Sequence, residues 1–255
     1  MSEIEWTGKT WNPTTGCDRI SPGCDHCYAL TMAARLKLMG SAKYQHDGNE
    51  RTSGPGFGLT MHPDTLDIPL RRKIPTTWFV NSMSDLFHKD VTDEFIAQVW
   101  DMMAACPQHT FQILTKRPQR MAQVLGTNGT GFYAAEWLRL RAPANVWLGT
   151  SIESDRYTFR ADHLRATPAA VRFLSCEPLL GPLPSLNFTG IDWVIVGAES
   201  GNGARPMHDD WVRDIRDRAT AAGCRLFFKQ RAEGGRKIST PELDGVRWVQ
   251  MPVVR

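Results

Sequence analysis

Six short apolar runs, each closing on a polar cluster, limit this chain's fold more than any other feature. They are Thr77–Val80, Phe111–Leu114, Val146–Gly149, Val171–Leu174, Trp193–Val196 and Leu226–Phe228. Counted from Trp78, Phe111, Val146, Val171, Trp193 and Leu226, they recur every 22 to 35 residues. That is the spacing of βα units. Near-continuous apolar runs rich in β-branched and aromatic residues suit strands buried on both faces, as in a parallel sheet. Helical patterns lie between them. Thr92-Asp93-Glu94 offers a cap and early acids to a stripe of Phe95, Ile96, Val99, Trp100 and Met103. Asp209 or Asp210 opens a second helix, with Trp211, Val212, Ile215 and Ala219 at helical spacing before Gly223, and Tyr157 to Leu164 reads as a third.

A short strand at Thr10 to Asn12, ahead of a cysteine-bearing loop, brings the count to about seven βα units. The expected class is α/β. A full or partial (β/α) TIM-like barrel, with the cysteine loop after the first strand, and an open doubly wound sheet both fit. The barrel is favoured because polar residues recur at the C-terminal ends of the strands, where a barrel gathers its chemistry. The 255 residues suit a single barrel domain over 1–255. Residues 43–58, rich in glycine and proline toward their end, read as a flexible excursion or lid.

At 42% hydrophobic and 22% charged residues, the composition is that of a soluble globular protein and excludes a disordered, collagen-like or coiled-coil chain. No uninterrupted apolar window approaches 18 residues, so no membrane partner is expected. The first residues lack the basic and apolar regions of a signal peptide, which points to the cytoplasm. Thirty basic against 27 acidic residues give a net charge of +3, which permits a polyanionic partner without requiring one.

The six cysteines are unevenly spread. Cys17, Cys24 and Cys27 fall in one loop, Cys17-Asp-Arg-Ile-Ser-Pro-Gly-Cys24-Asp-His-Cys27, while Cys106, Cys176 and Cys224 are scattered. A two-residue gap lets Cys24 and Cys27 converge on one metal, and Pro22-Gly23 can turn Cys17 back toward them. Three thiolates could bind three irons of a [4Fe-4S] cluster and leave one open. Zinc with His26 or Cys176 as fourth ligand is the alternative. Three unrelated buried cysteines would be a poor use of such a loop.

The strand ends carry the remaining candidates. They are Asn81, Ser82, Asp85 and His88 after the second strand, Lys116 and Arg117 after the third, and Ser151 and Glu153 after the fourth. Glu177, Glu199 and Lys229 follow the next three strands, and Arg205 lies beyond Glu199. Around one barrel mouth, Glu153, Glu177 and Glu199 would face a common space with Lys116, Arg117 and Lys229, a set that can hold a zwitterionic ligand. Arg205 could reach an anionic substrate or form a surface ion pair. Trp6, Trp11 and Tyr28 could stack on a base, though core packing is the ordinary role for each.

Thr10-Trp-Asn-Pro-Thr-Thr-Gly-Cys17, Ser21-Pro-Gly-Cys24-Asp-His-Cys27-Tyr-Ala29, Val80-Asn-Ser-Met-Ser-Asp-Leu-Phe87, Phe111-Gln-Ile-Leu-Thr-Lys-Arg-Pro118, Val146-Trp-Leu-Gly149, Phe173-Leu-Ser-Cys-Glu-Pro-Leu-Leu-Gly-Pro-Leu183, Asp192-Trp-Val-Ile-Val-Gly197 and Phe227-Phe-Lys-Gln230 resemble a phage-associated three-Cys-motif family of uncharacterised proteins. The resemblance spans almost the whole chain. That family is similar to radical S-adenosylmethionine (SAM) enzymes. The similarity implies a [4Fe-4S] cluster on Cys17, Cys24 and Cys27 with SAM on the open iron. By their place at the strand ends, Asn81, Ser82, Asp85, Lys116, Ser151 and Glu153 are expected to bind the cofactor, and Glu177, Glu199 and Lys229 to be catalytic. Substrate contacts would come from Arg117, Arg205 and His88.

Two departures stand out. The cysteine gaps are six and then two, where radical SAM enzymes have three and then two. Asn81-Ser-Met-Ser-Asp85 stands where a Gly-Gly-Glu-type amine-binding motif is usual, so Asp85 or Ser82 is expected to take that role. The activity implied is reductive SAM cleavage and hydrogen abstraction. The resemblance gives no substrate, but the mild basicity, Lys116, Arg117 and Arg205, with the phage association, point to a nucleic acid, such as a DNA lesion or modified base, or a nucleotide, and a reductase or flavodoxin-type protein would donate the electron. The competing functions are a zinc or metal-free barrel hydrolase using Glu177 and Glu199 as paired carboxylates, and a non-catalytic nucleic-acid-binding module with a structural metal.

Overall fold

The computed structural model describes residues 4–126, 143–201, 203–233 and 236–253. Its centre is an eight-stranded sheet. The strands are β1 (Lys9–Trp11), β4 (Thr77–Val80), β5 (Thr110–Thr115), β6 (Val146–Ser151), β7 (Val171–Cys176), β8 (Trp193–Gly197), β9 (Arg225–Glu233) and β10 (Arg236–Ser239), in that spatial order. From β1 to β9 every neighbouring pair is parallel, and β10 folds back antiparallel on β9. All six expected apolar runs fall in strands, and the strand expected at Thr10 to Asn12 is β1. β1 and β10 form the two edges of the sheet, so it makes a partial barrel rather than a closed one.

Two short pairs complete the β-structure. β2 (Thr14–Thr15) pairs with β3 (Thr60–Met61), and β11 (Glu242–Leu243) with β12 (Val246–Arg247). The helices are α1 (Tyr28–Leu38), α2 (Ile68–Arg71), α3 (Asp93–Ala104), α4 (Pro118–Leu125), α5 (Arg160–Arg165) and α6 (Asp209–Ala221). α3 begins as expected, with the Thr92 hydroxyl accepting from the Phe95 amide. The helix expected over Tyr157 to Leu164 is split. A 3₁₀ turn over Asp155–Tyr157 precedes α5. Among the described residues no helix is long and apolar enough to cross a membrane.

Side-chain alternation explains both faces of the sheet. Trp78, Val80, Phe111, Ile113, Val146, Leu148, Leu174, Val194, Val196, Leu226 and Phe228 join α3 and α6 residues in the larger core. The intervening positions, Phe79, Trp147, Phe173, Trp193, Ile195 and Phe227, form a second cluster around Trp6. Trp6 lies 4.9 Å from the Phe79 ring, 6.1 Å from Phe173 and 6.0 Å from Trp193. One side chain touching β4, β7 and β8 at once requires the sheet to curl around it. Gly149 allows the curl to close tightly, since a Cβ there would stand 2.5 Å from the Phe173 ring.

Candidate functional site

On five strands the inner face changes from apolar to polar toward the C-terminal end. Phe79 is followed by Asn81, Leu114 by Lys116, Gly149 by Ser151, Phe173 by Ser175 and Glu177, and Phe227 by Lys229. The curl brings these polar positions together above an apolar floor. They line one cavity of about 250 Å³ with Trp6, Phe79 and Leu114 beneath and the cysteine loop along one wall. Cys17, Cys24 and Cys27 all line this cavity.

Cys24 lies in a 3₁₀ turn over Pro22–Cys24, and Cys27 precedes α1. Gly23 runs close over Glu153, where a Cβ would meet the Glu153 side chain at 3.2 Å. Burial pushes the Cys17 thiol up to about 12, and Asp85 adds to the rise while Arg117 opposes it.

A family model matches residues 1–252 of the chain. The chain belongs to the DUF5131 family, described as proteins of unknown function. That description carries neither the phage association nor the three-cysteine name of the sequence resemblance. Among curated proteins, nothing matches this DUF5131 chain. Among solved structures it is similar to a spore photoproduct lyase with a cysteine-to-serine mutation, at a TM-score of 0.44 and 15% identity over 89% of this chain and 65% of that one. A second similar structure is a spore photoproduct lyase double mutant with bound AdoMet and dinucleoside spore photoproduct, at a TM-score of 0.43 and 13% identity with the same coverage. The DUF5131 chain thus spans 65% of the length of these chains.

Within the DUF5131 site the expected residues divide into three groups. Asn81, Ser82, Lys116, Ser151, Glu177 and Lys229 line the cavity with the cysteines. Asn81 is buried with φ at 60°, in the left-handed region that asparagine tolerates better than most residues. Its Oδ1 accepts from the Thr14 amide, while its Nδ2 has no partner. Ser82 Oγ donates to Asn12 Oδ1. Lys229 Nζ donates to Glu177 Oε1 at 2.6 Å. The Lys116 ammonium has no ion-pair partner among the described residues.

The second group lines the cavity but is committed to holding its walls. Asp85, expected to bind the cofactor, accepts from Thr115 Oγ1 and the Phe87 and Lys116 amides, and from Arg117 Nη1 at 2.9 Å. Both of its oxygens are occupied. Arg117, expected on substrate, is spent on Asp85, on Cys17 Sγ and on the Asp18 carbonyl. Glu199, expected to be catalytic, is gripped by both ends of the Arg205 guanidinium and by His26 Nδ1. Burial pushes Glu199 up, but the Arg205 and His26 hydrogen bonds win and hold it at about 2. Glu177 and Glu199, expected in the hydrolase reading as paired carboxylates, are each hydrogen-bonded to a separate cation, Lys229 and Arg205.

The third group faces elsewhere. Arg205, expected on an anionic substrate, also donates to the Pro22 carbonyl at 2.9 Å and so ties the cysteine loop to the end of β8. Glu153 does not join the common space. It is fully buried, with Oε2 accepting from Arg160 and Oε1 unpartnered. His88 is buried against the back of the cysteine loop. Its Nδ1 accepts the Asp90 amide, so its Nε2 carries the proton to Asp18 Oδ2 at 3.0 Å. With both ring nitrogens engaged, His88 offers no lone pair to an ion, although Asp18, His88 and Asp90 place their donor atoms within 4.8 Å of one another. Cys176 is buried in the core, as are Cys106 and Cys224, so it cannot complete a zinc site with the loop.

The segment over 43–58, expected to be a flexible excursion or lid, makes hydrogen bonds to the cysteine loop. Thr52 and Ser53 hydroxyls donate to Asp18 Oδ1 at 2.7 and 2.6 Å, and the Cys17 amide donates to the Phe57 carbonyl. Gly16 makes this approach possible, because a Cβ there would fall 2.2 Å from the Gly58 carbonyl. Trp11 is core, with its indole N–H donating to the Thr65 carbonyl. Tyr28 is 52% exposed at the cavity rim. The sequence reading missed the Arg205–Glu199–His26 clamp and the Arg117–Cys17 bond. His26 and Glu199 are 173 positions apart and Arg117 and Cys17 are 100 apart, and no local pattern announces such pairs.

Proposed function

We propose that this chain is a radical SAM-like iron–sulfur enzyme acting on a nucleic acid or nucleotide. One observation carries the reading: three thiols from one loop line the same cavity as the inward polar ends of the parallel strands. The donor set suits an iron–sulfur cluster better than zinc. Three sulfurs around one tetrahedral zinc, with Zn–S near 2.3 Å, stand only about 3.8 Å apart. Among the described residues the cysteines do not form a group within 4.8 Å. A multi-iron cluster spreads its ligands over separate metal atoms and fits a wider triangle.

Cys17, Cys24 and Cys27 would hold the cluster. With SAM bound, the cluster supplies a one-electron cleavage that ends in hydrogen abstraction. The chain's own residues prepare the place. Asn81 Nδ2 offers an unspent donor and Lys116 an uncommitted cation to SAM's polar groups, with Ser151 and Ser82 beside them. The floor of Trp6, Phe79 and Leu114 keeps water from the reacting centre. Glu177 and Lys229 line the cavity as a polar pair able to bind substrate. Tyr28 gives the rim an aromatic face suited to a base. A DNA lesion or modified base fits this combination. A reductase or flavodoxin-type protein is the proposed electron donor.

The test is SAM cleavage by anaerobically reconstituted protein with a low-potential reductant, followed by chromatography for 5′-deoxyadenosine. The reading expects product that disappears in Cys27→Ala. A reconstituted wild type that never cleaves SAM under reduction overturns it.

A further inference from the structure

Among the described residues, Cys17 is the one thiol of the three that receives an N–H from a cation. Arg117 Nη1 lies 3.3 Å from Cys17 Sγ and 2.9 Å from Asp85 Oδ2, while Nη2 donates to the Asp18 carbonyl at 3.1 Å. Both side chains of the Arg117–Asp85 pair are largely buried. The pair is fixed from below. Thr115 Oγ1 donates to Asp85 Oδ1 at 2.7 Å and accepts the Arg117 amide at 2.8 Å, and the Phe87 and Lys116 amides hold the carboxylate from two strand ends. The guanidinium is preorganised against the sulfur.

We propose that Arg117 is a positioning residue that sets the reduction potential of the cluster through its hydrogen bond to Cys17, with Asp85 as the counterweight. This rests on the cluster site proposed above and adds to it a specific electrostatic control. A cationic N–H donor withdraws charge from a thiolate ligand and favours the reduced cluster, so it raises the potential. Asp85 offsets part of that charge while holding the fork in place. A lysine cannot reproduce the arrangement, because one ammonium cannot span the sulfur, the carboxylate and the carbonyl in the same plane.

The two partners should therefore move the potential in opposite directions. A role limited to holding the fold would move both the same way or not at all. The experiment is a dye-mediated redox titration of anaerobically reconstituted protein, followed by the paramagnetic signal of the reduced cluster. Arg117→Met is expected to show about tenfold less reduced cluster at a fixed potential, about 59 mV for one electron. Asp85→Asn is expected to show several-fold more, and Arg117→Lys to fall between Arg117→Met and wild type. Should Arg117→Met fail to retain iron, Arg117→Lys and Asp85→Asn decide the matter by the same opposite signs. Variants that match wild type, or that shift in one direction together, overturn the proposal and leave the cluster reading intact. A wild type that takes up no cluster overturns both.

Discussion

Lys229 Nζ stands 2.6 Å from Glu177 Oε1 across the cavity wall, joining β9 to the residue just past β7 over the end of β8. Both side chains are less than one-fifth exposed, so neither charge has water enough to stand alone comfortably. Lys229→Met is expected to destabilise the fold by about 1–3 kcal/mol, because it leaves the Glu177 carboxylate unpaired. Adding Glu177→Gln should recover most of that loss. Urea unfolding of the two single variants and the double variant measures the coupling. Strictly additive effects would mean that the pair does not act as a unit.

The clamp between Glu199 and Arg205 carries a pH signature. The Glu199 carboxyl is held at about 2 against its ordinary 4.5. A depressed folded pKa adds stability that is complete above about pH 4.5 and is lost as the pH falls through about 2. Glu199→Gln should cost about 1–3 kcal/mol near neutrality, and the gap to wild type should narrow on acidification below the ordinary carboxylate value. Unfolding curves from neutral to acid pH check this. A gap that stays constant across that range would contradict it.

Asp18 fixes the segment over 43–58 to the cysteine loop. Burial pushes its carboxyl up, but the Ser53, Thr52 and His88 hydrogen bonds hold it at about 2. Asp18→Ala removes all three bonds together and should expose Arg51 to trypsin at least about tenfold faster, the effect of about 1.4 kcal/mol on local opening. An unchanged digestion rate would show that Gly16, Phe57 and Gly58 hold the segment unaided.

Much of the fold was readable before the structure because it is written in local patterns. The strands announced themselves through alternating inward and outward apolar positions such as Trp78 with Phe79 and Trp193 with Val194. Thr92 marked the start of α3 through a cap that depends on three neighbouring residues. α1 went unrecognised because its exposed Tyr28, Met32 and Leu38 leave it without a continuous buried stripe. The gathering of polar strand ends was legible, but the assignment of roles among them was not. Asp85, Glu199 and Arg205 look on paper like ligand-binding groups, yet each meets a protein partner first. Glu153 missed the cavity for the same reason, since Arg160 seven positions on claims it.

Iron and acid-labile sulfide, counted per chain in anaerobically reconstituted protein, test the central claim most directly. The account predicts about four of each, with both lost when Cys17, Cys24 or Cys27 is replaced by alanine. One tightly bound zinc with no sulfide, or metal uptake indifferent to all three replacements, would contradict it.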